Sequence, residues 1–345
     1  MSRKLRLSNE ELSVLCEQVA LVLRAGLPVH DGVEALCENY KGTKFEQGFN
    51  TLTITVIETG SLATGFKEAG LFPDYLISMT EIGEKTGELD VVMEELSLYY
   101  EREAANRRSI KSALFYPLLL IVMMALIISV LVTQVLPIFE NVYGSFDSGS
   151  SAGWMNIAVN FGKVTLIVAG VLLLLVILLL VVLKLDGSQK VLQWLQNTIK
   201  PLRRLEQKLS AARFASTLGM MLRSGFPLEE SMELIESLFT NKRLRQRVSQ
   251  CRQKMEEGTA FPDAVGETGI FEPLHCRMIS VGFRAGQTDR VMSKLAVLYD
   301  EEVNNSIGHL VSIIEPSLVA LMSVIIGAIL MSVMLPLLSI MSSIG

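Results

Sequence analysis

The sequence predicts an all-α membrane protein, in which two homologous cytoplasmic helical bundles are joined to three transmembrane helices. Three observations predict it. The 345 residues are 50% hydrophobic and only 19% charged, with mean hydropathy +0.41, against about 25% charged for an ordinary soluble domain. The apolar surplus is concentrated, because residues 113–136 and 164–183 carry no charge and a third apolar stretch runs from Pro316 to the C-terminus. Each is long enough for a bilayer, which takes about 20 apolar residues. Finally, adding 199 to a position in the first half repeatedly returns the same residue in the second, the mark of a tandem repeat.

The elements follow in order. Residues 1–12 contain Arg3, Lys4, Arg6, Glu10 and Glu11 with no apolar region behind them, which excludes a secretory signal peptide and keeps the N-terminus inside. Ser8 with Glu11 three residues later is a capping box. Leu12, Leu15, Val19, Val22 and Leu23 then recur at helical spacing until Gly26 and Pro28, so a helix is expected over 9–25. Further helices fit 29–40, 44–59 and 74–85, with Gly87 punctuating the last. From Glu88 no breaker precedes Pro117, so the final helix of the first domain (1–112) should run on into the first span (113–136). Pro117 removes one backbone bond near the inner boundary and is a hinge candidate.

A short external loop (137–163) and the second span (164–183) lead to the second domain (184–310). Its first helix is expected over 207–224, ended by Gly225 and Pro227. Its last helix, from Thr288, enters the third span (311–335) past Glu315 and Pro316, leaving a short tail (336–345) outside. No alternating period-two stretch appears, so each domain should be an antiparallel helical bundle.

Basic residues orient the chain. Arg102, Arg107, Arg108 and Lys111 precede the first span and Lys184, Lys190, Lys200, Arg203, Arg204 and Lys208 follow the second, whereas the loop between holds only Lys163. Both domains are therefore expected in the cytoplasm, with the loop and the C-terminus outside a multi-pass cell membrane protein.

In the repeat, Arg24, Gly26 and Pro28 meet Arg223, Gly225 and Pro227, Gly83 and Gly87 meet Gly282 and Gly286, and Pro117 meets Pro316. The duplicated unit is a domain plus the span that follows it. Residues 164–183 have no counterpart and return the chain to the cytoplasm for the second copy.

No residue pattern calls for catalysis, a cofactor or a metal. Cys16, Cys37, Cys251 and Cys276 stand at unrelated spacings in cytoplasmic segments and read as small apolar residues. His30, His275 and His309 have no zinc-site spacing, and the dipeptide His275-Cys276 lacks partners in sequence. No G-x-x-x-x-G-K-[ST] loop occurs; Gly83-Glu84-Lys85-Thr86-Gly87 reads as a helix-ending turn. Residues 1–112 hold 12 Lys and Arg against 18 Asp and Glu, net −6, and residues 184–310 hold 18 against 15, net +3. Opposite signs suggest different partners or domains that face one another. The clusters Glu94, Glu95, Glu101, Glu103 and Asp300, Glu301, Glu302 read first as solvated faces balanced by Arg102, Arg107 and Arg108, the alternative being a site for a cation or a basic partner surface. Glu315, beside an apolar span, is a functional suspect. A small-solute transporter or channel would place ionisable groups within the spans, yet the first two have none, and Gln134 is their only amide. A signalling receptor would carry a catalytic or phosphoacceptor site, and none is visible.

With these motifs the chain resembles the GspF/PilC family, the inner-membrane platform proteins of type II secretion systems, competence pseudopili and type IV pili. The resemblance rests on Arg24-Ala25-Gly26-Leu27-Pro28 with Arg223-Ser224-Gly225-Phe226-Pro227. It rests also on the two stretches from Ile82 to Leu89 and from Val281 to Thr288, and on Tyr116-Pro117 and Glu315-Pro316 at the span entrances. It implies two six-helix cytoplasmic bundles and a non-enzymatic role without a cofactor. The implied task is to couple a cytoplasmic secretion or pilus-assembly ATPase to the extraction and polymerisation of pilin or pseudopilin subunits. The implied partners are that ATPase, those subunits, other membrane assembly proteins and further copies of the chain, with no nucleic acid. Larger family members carry an extra N-terminal segment, which by the resemblance favours a compact pilus or competence-type system here.

Overall fold

The computed structural model describes residues 6–130, 133–134, 137–138, 200–239 and 241–344. Regular structure among these is helical. The first half supplies α1 (Asn9–Arg24), α2 (Val29–Glu38), α3 (Glu46–Thr59), α4 (Leu62–Ala69), α5 (Asp74–Thr86) and α6 (Leu89–Val130). The second supplies α7 (Lys200–Arg223), α8 (Leu228–Leu238), α9 (Lys242–Glu256), α10 (Phe261–Thr268), α11 (Pro273–Arg284) and α12 (Thr288–Ile344). The starts of α4, α5 and α6 fall at 62, 74 and 89, and those of α10, α11 and α12 at 261, 273 and 288. The repeat seen in residue identities is thus a repeat of elements in the same register.

The capping box that opens α1 is formed: the Ser8 amide donates to Glu11 Oε2 at 2.7 Å and the Glu11 amide to Ser8 Oγ at 3.3 Å. The sequence pattern misses α4, whose N-terminus is held both by its N-cap, Ser61 Oγ accepting the Thr64 amide at 3.1 Å, and from the next helix. Glu84 of α5 accepts the Leu62 and Ala63 amides at 2.5 and 3.2 Å, satisfying donors that a helix start leaves orphaned. In the second copy Phe283 replaces Glu84, and Pro262 at the start of α10 removes one of those donors instead. Helix α7 begins seven residues before the expected 207, with Pro201 in its first turn.

Packing divides the chain into two compact units. One comprises Met1–Arg108 and Arg204–Asn304, the other Ser109–Arg203 and Asn305–Gly345. The first unit contains the cores of both copies. Leu12, Phe49, Phe66, Leu76, Met79 and Leu96 are fully buried in one, and Phe214, Leu218, Ile235, Val248, Phe261 and Leu295 in the other. The second unit contains the apolar continuations of α6 and α12, where Phe115, Met123, Ile313 and Val324 are exposed. These two helices are long and apolar enough to cross a membrane, with hydropathy 2.2 over part of Leu89–Ile127 and 1.7 over part of Thr288–Val324. Pro117 lies inside α6, and α12 runs unbroken past Pro316 and through residues 336–344. The expected span at 164–183 and nearly all of the loop at 137–163 lie outside the described residues.

Candidate functional site

The duplicated motifs build the same corner twice. Arg24 and Arg223 end α1 and α7, Gly26 and Gly225 take φ +70° and +72°, and Pro28 and Pro227 cap α2 and α8. Gly87 and Gly286 likewise follow α5 and α11 at φ +77° and +67°, a conformation that costs any residue with a Cβ. Gly83 and Gly282 are needed for a different reason. A Cβ on Gly83 would sit 3.1 Å from Leu89 Cα and Val92 Cβ, and one on Gly282 would collide with Val291 Cγ2. These glycines let the start of the last helix lie against the helix before it.

The two arginines then diverge. Arg24 pairs with Glu94 of its own copy. Arg223 donates to Ser293 Oγ at 2.9 Å, the position equivalent to Glu94, and also reaches into the first copy to pair with Glu95, which is 7% exposed. This pair opens a polar seam along which α5 and α6 of the first copy pack on α7 and α12 of the second. Arg213 holds Glu103 in a two-pronged contact, Nε to Oε1 at 2.7 Å and Nη2 to Oε2 at 3.0 Å, the geometry in which guanidinium and carboxylate match best. Asn106 donates to Asp300 Oδ1 at 3.0 Å, and Arg102 donates to Ser216 Oγ at 3.3 Å with Asp300 Oδ2 3.8 Å away. Thr217 donates its hydroxyl hydrogen to the Arg213 carbonyl at 2.8 Å, so Tyr75, 3.1 Å away, donates to Thr217. Burial pushes the Asp300 carboxyl above its usual range, opposed by the Asn106 hydrogen bond and by Arg102. Burial likewise raises the Tyr75 and Tyr99 hydroxyls.

For three of the clustered acids the seam favours the alternative of a basic partner surface, here the other copy, over a solvated face. Glu95, Glu103 and Asp300 are partners in the packing of one copy on the other, and Glu302 pairs with Lys208 at 3.0 Å. Glu101 stays exposed. The opposite net charges of the domains have a local counterpart here, since first-copy carboxylates meet second-copy guanidiniums. Arg213, Ser216 and Thr217 were missed because each is unremarkable alone. Their signal was the repeat itself: at the offset they replace Val14, Glu17 and Gln18 on a single helix face.

Two further sites concern residues singled out in sequence. His275 is buried, and its Nδ1 lies 2.8 Å from the Tyr299 hydroxyl, which also accepts the Glu272 amide at 3.0 Å. Its Nε2 faces Glu302 Oε1 at 4.0 Å. His275 thus has partners on α12, Tyr299 and Glu302, which stand far along the chain from it. In the second unit the Tyr116 hydroxyl donates to Glu315 Oε1 at 3.1 Å, joining positions that are equivalent in the repeat. Cys16, Cys37 and Cys251 are buried and Cys276 half-buried; burial raises all four thiols, that of Cys251 to about 12.

This duplicated architecture has a counterpart among known proteins. The family model for type II secretion system protein F matches residues 15–137 and again 214–336, so its two matches lie in the register of the repeat. The chain belongs to the type II secretion system protein F family. It is 28% identical to a type II secretion system protein F of Pseudomonas aeruginosa, over 98% of this chain and 85% of that one. It is 26% identical to a type IV pilus assembly protein PilC of Myxococcus xanthus, over 97% and 82%. A PilC of Thermus thermophilus is 25% identical over 97% and 84%. Family membership makes the chain a component of secretion or pilus-assembly machinery, and its apolar helices give it a membrane-associated character. The family is one of structural platform proteins of secretion and pilus systems.

Proposed function

We propose that this protein is the inner-membrane platform of a type IV pilus or type II secretion-like machine. In this reading it couples a cytoplasmic secretion ATPase to the extraction and polymerisation of pilin-like subunits. Both bundles lie in the cytoplasm, the N-terminus is inside and the C-terminus outside, and residues 164–183 form the return span. One observation carries the proposal: each family repeat is a helical domain whose last helix, α6 or α12, continues without a break into an apolar segment. A load applied to the domain is transmitted along a continuous helix, and the seam makes the two copies move together. Pro117, Glu315 and Pro316 are the proposed points of compliance where those helices become apolar. The seam does the work of positioning, and no catalytic group, cofactor or nucleic acid enters.

Mild crosslinking in native membranes, purification of this protein and mass spectrometry of its neighbours test the proposal. Recovery of a secretion-type ATPase together with a pilin-like subunit is expected. Recovery of neither, with the protein intact and abundant, would overturn it in favour of a small-solute transporter.

A further inference from the structure

The second copy gathers metal-binding side-chain types that the first lacks. Glu272, the N-cap residue of α11, His275 in the first turn of that helix and Glu302 on α12 each place one donor atom within 4.8 Å of the other two. Their equivalents in the first copy are Pro73, Leu76 and Glu103. Leu76 is fully buried and Glu103 turns to Arg213, so the fold accepts a leucine where the second copy keeps an imidazole. His275 is 6% exposed, and a buried polar group costs free energy unless it is paired. Only half of the ring is paired: Nδ1 lies against the Tyr299 hydroxyl, while Nε2 makes no hydrogen bond among the described residues and faces Glu302 Oε1. The Glu272 side chain makes no capping hydrogen bond either. The tyrosine is common to both copies, and its counterpart Tyr100 has a buried hydroxyl without a hydrogen-bond partner among the described residues. Pro73 there has no amide hydrogen and Leu76 no ring nitrogen, so the polar partners belong to the second copy alone.

We propose that Glu272, His275 and Glu302 form a site for zinc or a like divalent transition-metal ion. An imidazole nitrogen with carboxylate oxygens suits zinc, whereas magnesium and calcium prefer coordination by oxygen alone. Donor atoms on a tetrahedral zinc stand about 3.3 Å apart, so the three atoms have to close by about 1.5 Å at most, a movement within reach of two glutamate side chains. Three protein ligands leave a fourth position for water. With its proton on Nδ1 the ring donates to Tyr299 and presents the Nε2 lone pair to the ion, the way a ligating histidine is held by a second partner. The bound ion would tie the start of α11 to α12 just before α12 leaves the bundle unit at Asn304. One group opposes it. Lys208 pairs with Glu302 Oε2 at 3.0 Å, although that is not the oxygen that faces the imidazole. The ligands lie on two helices, which is why no spacing in the sequence announces them. The site stands on this chain's own residues and does not depend on the platform reading.

The test uses the full-length protein with a histidine-free tag, purified in detergent, stripped with a chelator and dialysed against micromolar zinc beside excess magnesium. Elemental analysis should find about one zinc per chain. His275→Leu introduces the residue that the first copy carries at that place, so the bundle should fold while the zinc is lost. Glu302→Gln, nearly the same in shape, should lose it too. Tyr299→Phe should weaken binding about tenfold, and Lys208→Gln should tighten it severalfold. Zinc should raise the unfolding temperature of the parent protein and leave that of His275→Leu unmoved. Cobalt(II) taken up instead should show the absorption of a tetrahedral site, without the sulfur charge-transfer band that Cys276 would add. No zinc on the parent protein, equal zinc on His275→Leu, or a sulfur band on the bound cobalt would overturn the proposal. Failure to recover an ATPase or a pilin-like subunit would leave these outcomes untouched.

Discussion

The motif glycines show why identical residue types need different reasons at neighbouring positions. Gly282 makes room for Val291, so Gly282→Ala should destabilise the protein by about 1–3 kcal/mol through overpacking. A methyl group on Gly266, on the exposed side of α10, would meet nothing within 4 Å, and Gly266→Ala should stabilise by about 0.5–1 kcal/mol as a plain gain in helix propensity. Unfolding of the two variants under one set of detergent conditions should move in opposite directions. The paired arginines differ in the same way. Glu95 is buried and Glu94 about half exposed, so Arg223→Ala, which strands a buried carboxylate, should cost more than Arg24→Ala, whose loss should stay within about 1 kcal/mol. Asp300 adds a pH dependence. Its raised pKa means that the native state holds the proton more tightly than the unfolded chain, so stability is lost as pH rises from the unfolded value into the raised native one. Asp300→Asn should flatten that part of a stability-against-pH curve.

At the scale of elements, α6 and α12 carry the mechanical argument. The boundary between the compact units cuts α6 after Arg108 and α12 after Asn304, so each helix belongs to a bundle at one end and to an apolar segment at the other. Inserting flexible glycines between Asn106 and Lys111 should leave the protein inserted in the membrane but abolish filament assembly or secretion, scored by surface filaments or exported protein. Undiminished assembly would refute transmission along the helix. The sequence made these two helices legible because no breaker interrupts them. Helix α4 was missed although Ser61 caps it locally: it is only eight residues long, and the Glu84 carboxylate that takes its first two amides comes from the following helix.

For the whole molecule, membrane orientation yields the next prediction. A cysteine at Ser150, in the expected external loop, should react with a membrane-impermeant maleimide in intact cells, whereas one at Glu301 should react only after the membrane is opened. Features legible along the chain were periodic or repeated: the apolar runs, the offset of 199 residues, the capping box and the duplicated Gly and Pro corners. Such features follow from local backbone preferences and from the length of chain a bilayer demands, and both are written in consecutive residues. The task of the charged clusters emerged from packing instead. Glu95, Glu103 and Asp300 have the same composition and spacing as solvated side chains, and whether they meet water or a guanidinium depends on which face of one copy packs against the other. That choice rests on burial summed over two whole bundles, so residues more than a hundred positions apart settle it together.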